Sequence, residues 1–263
     1  MNTSVIGFSF LRMRALLTGA ALTALLAGCA SSGPQRPTKA QDAAIFNTQL
    51  GVQYMNQGDL SLAKEKLDRA VQQDPDSPSV HSARAMLYVR MREPDKADGE
   101  FRQALRLAPD DPTVINSYAV WLCQQGRTDE GVKRFNQAAQ NALYKTPEIA
   151  FTNAGVCLRA AKRDEEARTS FSKALQMRPS FAEAVYQLAN LQFDHKEYGA
   201  ARTQIDGYLG AYNETADLLL LGVRVARAQK DPVAAQRYAR KLQMGFPGTD
   251  QAKALASLDR NPG

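Results

Sequence analysis

Three cysteines and two histidines are the side chains in this sequence best suited to chemistry, and their spacing limits what they can do. Cys29, Cys123 and Cys157 form no C-x-x-C pair, so a dithiol redox enzyme is not expected. His81 and His195 lie far apart. Neither has a neighbouring cysteine or an i, i+4 partner, whereas a metal centre needs three or four convergent ligands. No G-x-S-x-G turn, phosphate-binding loop or G-x-G-x-x-G fingerprint occurs. Acidic pairs such as Glu165-Glu166 fall near the start of a helix, where carboxylates complement the positive end of the helix dipole. The sequence therefore predicts no enzyme, no metal, no cofactor and no small-molecule substrate. Each cysteine needs another explanation.

The 263 residues are 44% apolar and 23% charged, an ordinary composition for a folded, water-exposed chain. The formal charge of +6 includes Arg12 and Arg14 of a segment expected to be removed, which leaves 31 basic against 27 acidic side chains. No element combines clustered cations with interleaved aromatics, so nucleic acid is not an expected partner. The N-terminus reads as a signal: Arg12 and Arg14 precede the apolar run 15-ALLTGAALTALLAG-28, too short to span a bilayer. Leu26-Ala27-Gly28-Cys29, followed by polar residues with two prolines, resembles the bacterial lipobox. That resemblance implies removal of residues 1–28 and acylation of Cys29, which would supply a membrane anchor. Ala30 in place of aspartate favours the periplasmic face of the outer membrane. Residues 29–43 are expected to be a flexible, lipidated tether.

From residue 44 the chain matches itself at about thirty-four residues, the period of the tetratricopeptide repeat (TPR). Six units are expected over 44–77, 78–111, 112–147, 148–181, 182–214 and 215–248, with a C-terminal cap reaching towards 263. The first carries Leu50-Gly51, Tyr54, Gly58, Ala63, Leu67, Ala70 and Pro75 at the repeat's positions, and the second Ala85, Tyr88, Ala97, Phe101, Ala104 and Pro109. The third is two residues longer, around 141-NALYKTP-147, and the last two are degenerate. Small residues stand where two antiparallel helices cross, Leu and aromatic residues fill the space beside them, and proline ends the second helix. The fold expected is all-α, a right-handed superhelical solenoid of six stacked helix pairs.

That register gives two cysteines a role. Cys123 is the twelfth residue of the third unit and Cys157 the tenth of the fourth, at nearly equal heights on first helices that pack side by side. In an oxidising periplasm such a pair is expected to form a disulfide, in preference to two thiols acting as small apolar fillers. The concave face of such a solenoid is lined by the first helix of every unit. Its early positions include Ile45, Gln49, Val52, Met55, Met86 and Val89, an apolar, methionine-bearing line suited to an amphipathic helix or an extended apolar segment. Any one of them is equally suited to the core between helices. Thr48 and Val52 stand where chaperone-binding members of this repeat place a carboxylate clamp, so that clamp is not expected.

The lipobox, six units, 116-NSYAVWLCQQGR-127 and 140-QNALYKTPEIAFTNAGVCLRAA-161 together resemble the type IV pilus biogenesis lipoproteins called PilF or PilW. The resemblance implies an outer-membrane lipoprotein that binds the pilus secretin subunit and promotes its targeting and multimerisation. Cys29 would supply the address and the six groove residues the contact. A lipid-anchored TPR scaffold for another envelope assembly, in outer-membrane protein insertion or cell-wall synthesis, is the alternative.

Overall fold

The computed structural model describes residues 38–260, and within them the chain forms thirteen α-helices and no strand. In order they are α1 (Lys39–Gln57), α2 (Leu60–Gln73), α3 (Pro78–Arg90), α4 (Pro94–Leu107), α5 (Pro112–Gln124), α6 (Thr128–Gln140), α7 (Pro147–Ala160), α8 (Asp164–Met177), α9 (Ala182–Asp194), α10 (Tyr198–Ala211), α11 (Ala216–Ala228), α12 (Pro232–Gly245) and α13 (Asp250–Arg260). Cys29, the signal and most of the expected tether lie outside the described residues. The tether's last residues do not: 39–43 belong to α1. Thr38 accepts from the Gln41 amide while the Gln41 side chain accepts from the Thr38 amide, a capping box that starts the helix ahead of the first repeat unit.

Local chemistry sets the ends of the helices. Proline opens α3, α4, α5, α7 and α12, where its missing N–H costs nothing. Asp59, Asp111, Thr215 and Asp231 accept hydrogen bonds from first-turn amides of the helices they precede. The first helix of each pair ends at a residue in the left-handed region: Gly58, Arg92, Gly126, Lys162, Lys196 and Lys230. These markers recur in equal steps except between Gly126 and Lys162, where the step is two residues longer. By the same marker the sixth unit opens at Ala216, the first residue of α11, one residue later than the sequence pattern places it.

Packing makes the stack. Leu67, Phe101, Phe135, Phe171, Ile205 and Tyr238, one from the second helix of each pair, are each at most 1% exposed. Burying a side chain of this size contributes roughly 1.5–3 kcal/mol. Opposite Phe171 stands Gly155, where a Cβ would lie 2.4 Å from the ring, so the helix backbones meet with no side chain between them. The backbone of each odd-numbered helix approaches that of the next odd one, from α1 through α13, whereas even-numbered backbones stay further apart and meet through side chains, as where Tyr238 and Arg237 of α12 reach Asp206 of α10. The odd helices therefore crowd together on the inside of a curved stack and the even helices spread on the outside. α13 occupies the place of a seventh first helix, against α11 and α12, with Leu255 fully buried.

Candidate functional site

The crowded odd helices form the concave face. At its N-terminal end they enclose a cleft of about 460 Å³, lined by Val52, Met55 and Asn56 of α1, Met86, Val89 and Arg90 of α3, and Asn116, Ser117, Val120, Trp121 and Gln124 of α5, over Phe101 of α4. Four of the six residues singled out in the sequence meet here: Val52, Met55, Met86 and Val89. Ile45 and Gln49 do not. Ile45 lies in the second turn of α1 and Gln49 near its middle, both exposed to solvent and outside the cleft. Met86 is 39% exposed and available to a partner, whereas Met55 is 3% exposed and packs with Ala63, Leu67, Ala83 and Leu87. Met55 is thus chiefly core, with one edge reaching the cleft. The sequence reading omitted Phe101 and Trp121. Trp121, the chain's one tryptophan, marks that spot, and its ring stacks against Phe101 at 6.3 Å.

No carboxylate lines this cleft. Its single charge, Arg90, donates to the Met55 carbonyl at 2.8 Å and so ties the end of α1 to α3. Amides supply the remaining polarity, and Asn153 of α7 donates to Asn116 at 3.3 Å to carry that line into the fourth unit. Further along, the face turns ionic: Arg159 pairs with Asp194 and bonds Gln187, and His195 lies 2.8 Å from Asp164. A larger cleft of about 710 Å³ lies against α6, lined by Asp110, Asp129, Lys133, Asn136, Gln137, Gln140 and Asn141 around Ile115 and Val132. Among the described residues no cluster of His, Cys, Asp or Glu could hold a metal ion. An apolar, acid-free floor with amide walls can hold apolar side chains and bond the backbone of a protein segment; it offers no general acid or base.

Beside the cleft, Cys123 of α5 and Cys157 of α7 are joined in a disulfide with Cα atoms 5.6 Å apart. It crosses the point where the longer linker separates the third and fourth units. There Asn141 donates to the Asp110 carbonyl at 2.8 Å and accepts from the Leu143 amide at 2.9 Å. Space for the sulfur comes from Gly131 on α6. Ala63, Ala97, Ala167 and Ala201 hold the equivalent place in other units, and a Cβ on Gly131 would lie 2.4 Å from Cys123 Sγ. A glycine breaking a run of alanines was the sequence signal for this contact, and the sequence reading missed it.

Fold and groove together define a tetratricopeptide-repeat protein. Tetratricopeptide-repeat family models match residues 54–112, 119–182 and 165–216. The type IV pilus assembly protein PilF of Pseudomonas aeruginosa is 33% identical over 241 residues, 88% of this chain and 94% of that protein. A solved structure of Pseudomonas aeruginosa PilF superposes with a TM-score of 0.63 at 29% identity, covering 84% of this chain and 99% of that one. PilW, described as a widely conserved type IV pilus biogenesis factor, superposes at 0.64 with 30% identity, covering 81% and 98%. The chain belongs to the PilF/PilW family of type IV pilus biogenesis TPR proteins.

Proposed function

We propose that this protein is an outer-membrane lipoprotein that binds the pilus secretin subunit in the N-terminal cleft and promotes its outer-membrane targeting and multimerisation. The observation that carries the reading is the acid-free cleft of Val52, Met86, Val89 and Val120 over Trp121, in a chain of a pilus biogenesis family. Its size admits a few apolar side chains of a protein segment, and its amides suit that segment's backbone. Acylated Cys29 would hold the protein at the membrane and residues 30–38 would give it reach. No described helix is long and apolar enough to cross a membrane.

The test is the amount of heat-resistant secretin multimer in outer-membrane fractions from four strains: intact, deleted, Cys29→Ala, and Met86→Asp with Val89→Asp. Multimers are expected to collapse on deletion, to be mislocalised with Cys29→Ala, and to be lost with the aspartate pair while the protein keeps its level and helicity. Unchanged multimers in the deletion strain would refute the secretin assignment and favour a scaffold for another envelope assembly. Loss on deletion together with normal multimers in the aspartate variant would place the contact outside this cleft.

A further inference from the structure

The junction between the first two repeat units holds a titratable cluster that the groove does not require. His81 stands in the first turn of α3 and is 7% exposed. Its Nδ1 lies 2.7 Å from Glu100 Oε2 on α4, and its Nε2 lies 2.8 Å from the Pro75 carbonyl in the turn between α2 and α3. Both neighbours can only accept. For both hydrogen bonds to form, both ring nitrogens must donate, and a ring with two N–H groups is an imidazolium. Other charged groups stand nearby. The other Glu100 oxygen is 3.5 Å from an Arg84 terminal nitrogen, and Arg84 Nε is 3.3 Å from Asp68 on α2. Lys64 of α2 lies 2.5 Å from the same Asp68, so the state of His81 is set by its own two hydrogen-bond acceptors.

We propose that His81 is a pH-sensitive clasp between the first and second units, closed when its ring is protonated and released when it is neutral. A neutral ring has one N–H to give. Directed at the charged Glu100, it leaves the Pro75 carbonyl facing a lone pair, and the turn that joins the two units is freed. Met86 and Val89 on α3 face Val52 and Met55 on α1 across the cleft, so the junction sets the width of that cleft whatever partner it takes. The charges around the ring are few. Glu100 comes from α4, Arg84 from α3 itself, Asp68 of α2 acts through Arg84 and is itself paired with Lys64 of α2, and Asp74 and Asp76 flank Pro75 in the turn. α5 carries no charged residue and α1 only Lys39 and Asp42, both in its first turn. In accord with this geometry, the Glu100 hydrogen bond holds the imidazole above its ordinary value, against the opposing effect of burial.

The chain's two histidines make the test direct. Ring signals of the full chain purified in detergent are followed by NMR across pH, with His195→Gln assigning them by difference. Hydrogen exchange at residues 78–90, corrected for the intrinsic rate, is measured over the same range. The His81 signal is expected to titrate above 6.5, the ordinary imidazole value, and protection of residues 78–90 to fall as pH passes its midpoint. Glu100→Gln is expected to lower that midpoint. A His81 midpoint at or below the ordinary value, protection that does not change across it, or a midpoint unmoved by Glu100→Gln would each overturn the clasp.

Discussion

Replacing Gly131 by alanine puts the packing around the disulfide to a test whose sign depends on the background. The added Cβ would stand 2.4 Å from Cys123 Sγ, 3.1 Å from the Ala119 carbonyl oxygen and 3.4 Å from the Cys123 nitrogen. Comfortable non-bonded contact needs about 3.5–4.0 Å, so the sulfur is too close by more than 1 Å. It cannot swing away, because it is bonded to Cys157 on the neighbouring first helix. Either α5 and α6 separate or the bridge fails to close. Overpacking of this kind costs about 1–3 kcal/mol, whereas alanine in a helix is favoured over glycine by about 0.5–1 kcal/mol. The net expectation is destabilisation of about 1–2 kcal/mol with the bridge intact. In a Cys123→Ala, Cys157→Ala background the obstructing sulfur is gone, and the same substitution should be neutral or stabilising by up to about 1 kcal/mol. The two backgrounds should therefore differ by about 2 kcal/mol. Trp121, on the same helix as Cys123 and 5% exposed, reports urea unfolding of that unit by its fluorescence. A thiol assay in denaturant shows whether the bridge has formed. Equal destabilisation in both backgrounds would refute the argument, because the clash would not then be with the sulfur.

Other outcomes follow from the geometry already described. Lys162 and Lys196 sit at φ of 64° and 62° where Gly58 and Gly126 stand in other units, so Lys162→Gly should raise the melting temperature, by a gain of about 1 kcal/mol; a fall would show that the lysine side chain makes a stabilising contact. Gly155→Ala drives a Cβ to 2.4–2.8 Å from three Phe171 ring carbons and should cost about 1–3 kcal/mol, part of it recovered with Phe171→Leu; a tolerated Gly155→Ala would show that the two helices can part freely. Because Glu100 raises the His81 pKa in the folded chain, the protonated ring stabilises that state: the contribution is complete below pH 6.5, the ordinary value, and is lost as pH rises through the raised one. A melting temperature that Glu100→Gln leaves equally pH-dependent above 6.5 would contradict this.

The fold was legible because each unit repeats one solution: a small residue at the crossing, a bulky one at the site of Phe101 or Phe171, and a left-handed residue at the first helix's end. Where a unit departs from that solution the pattern blurs. In the sixth, Gly222 meets Tyr238 while the backbone marker Lys230 keeps its step, so side-chain pattern and backbone place the boundary one residue apart. The start of α1 rests on Thr38 and Gln41, a local hydrogen-bond exchange that a search for the repeat passes over. The cleft was legible by position only in part. Val52, Met55, Met86 and Val89 were identifiable from helix register, but whether a residue ends in a cleft or beside it depends on which helices curve over it. That excludes Ile45 and Gln49 and admits Phe101, which comes from a second helix that register alone assigns to the outside.

The bond between α5 and α7 has a consequence for how the molecule comes apart. A stack in which each pair leans only on its neighbours melts from its ends inward, like a zip with two open ends. A covalent stitch near the middle gives each advancing front a step where the ordered and disordered sides stay tethered and little chain freedom is released. Loss of the degenerate last pair can then halt before the third, leaving the cleft whole in a molecule whose far end is loose. Loosening of the first pair would likewise leave the ionic stretch of the fourth and fifth units standing. The two halves can breathe on separate clocks.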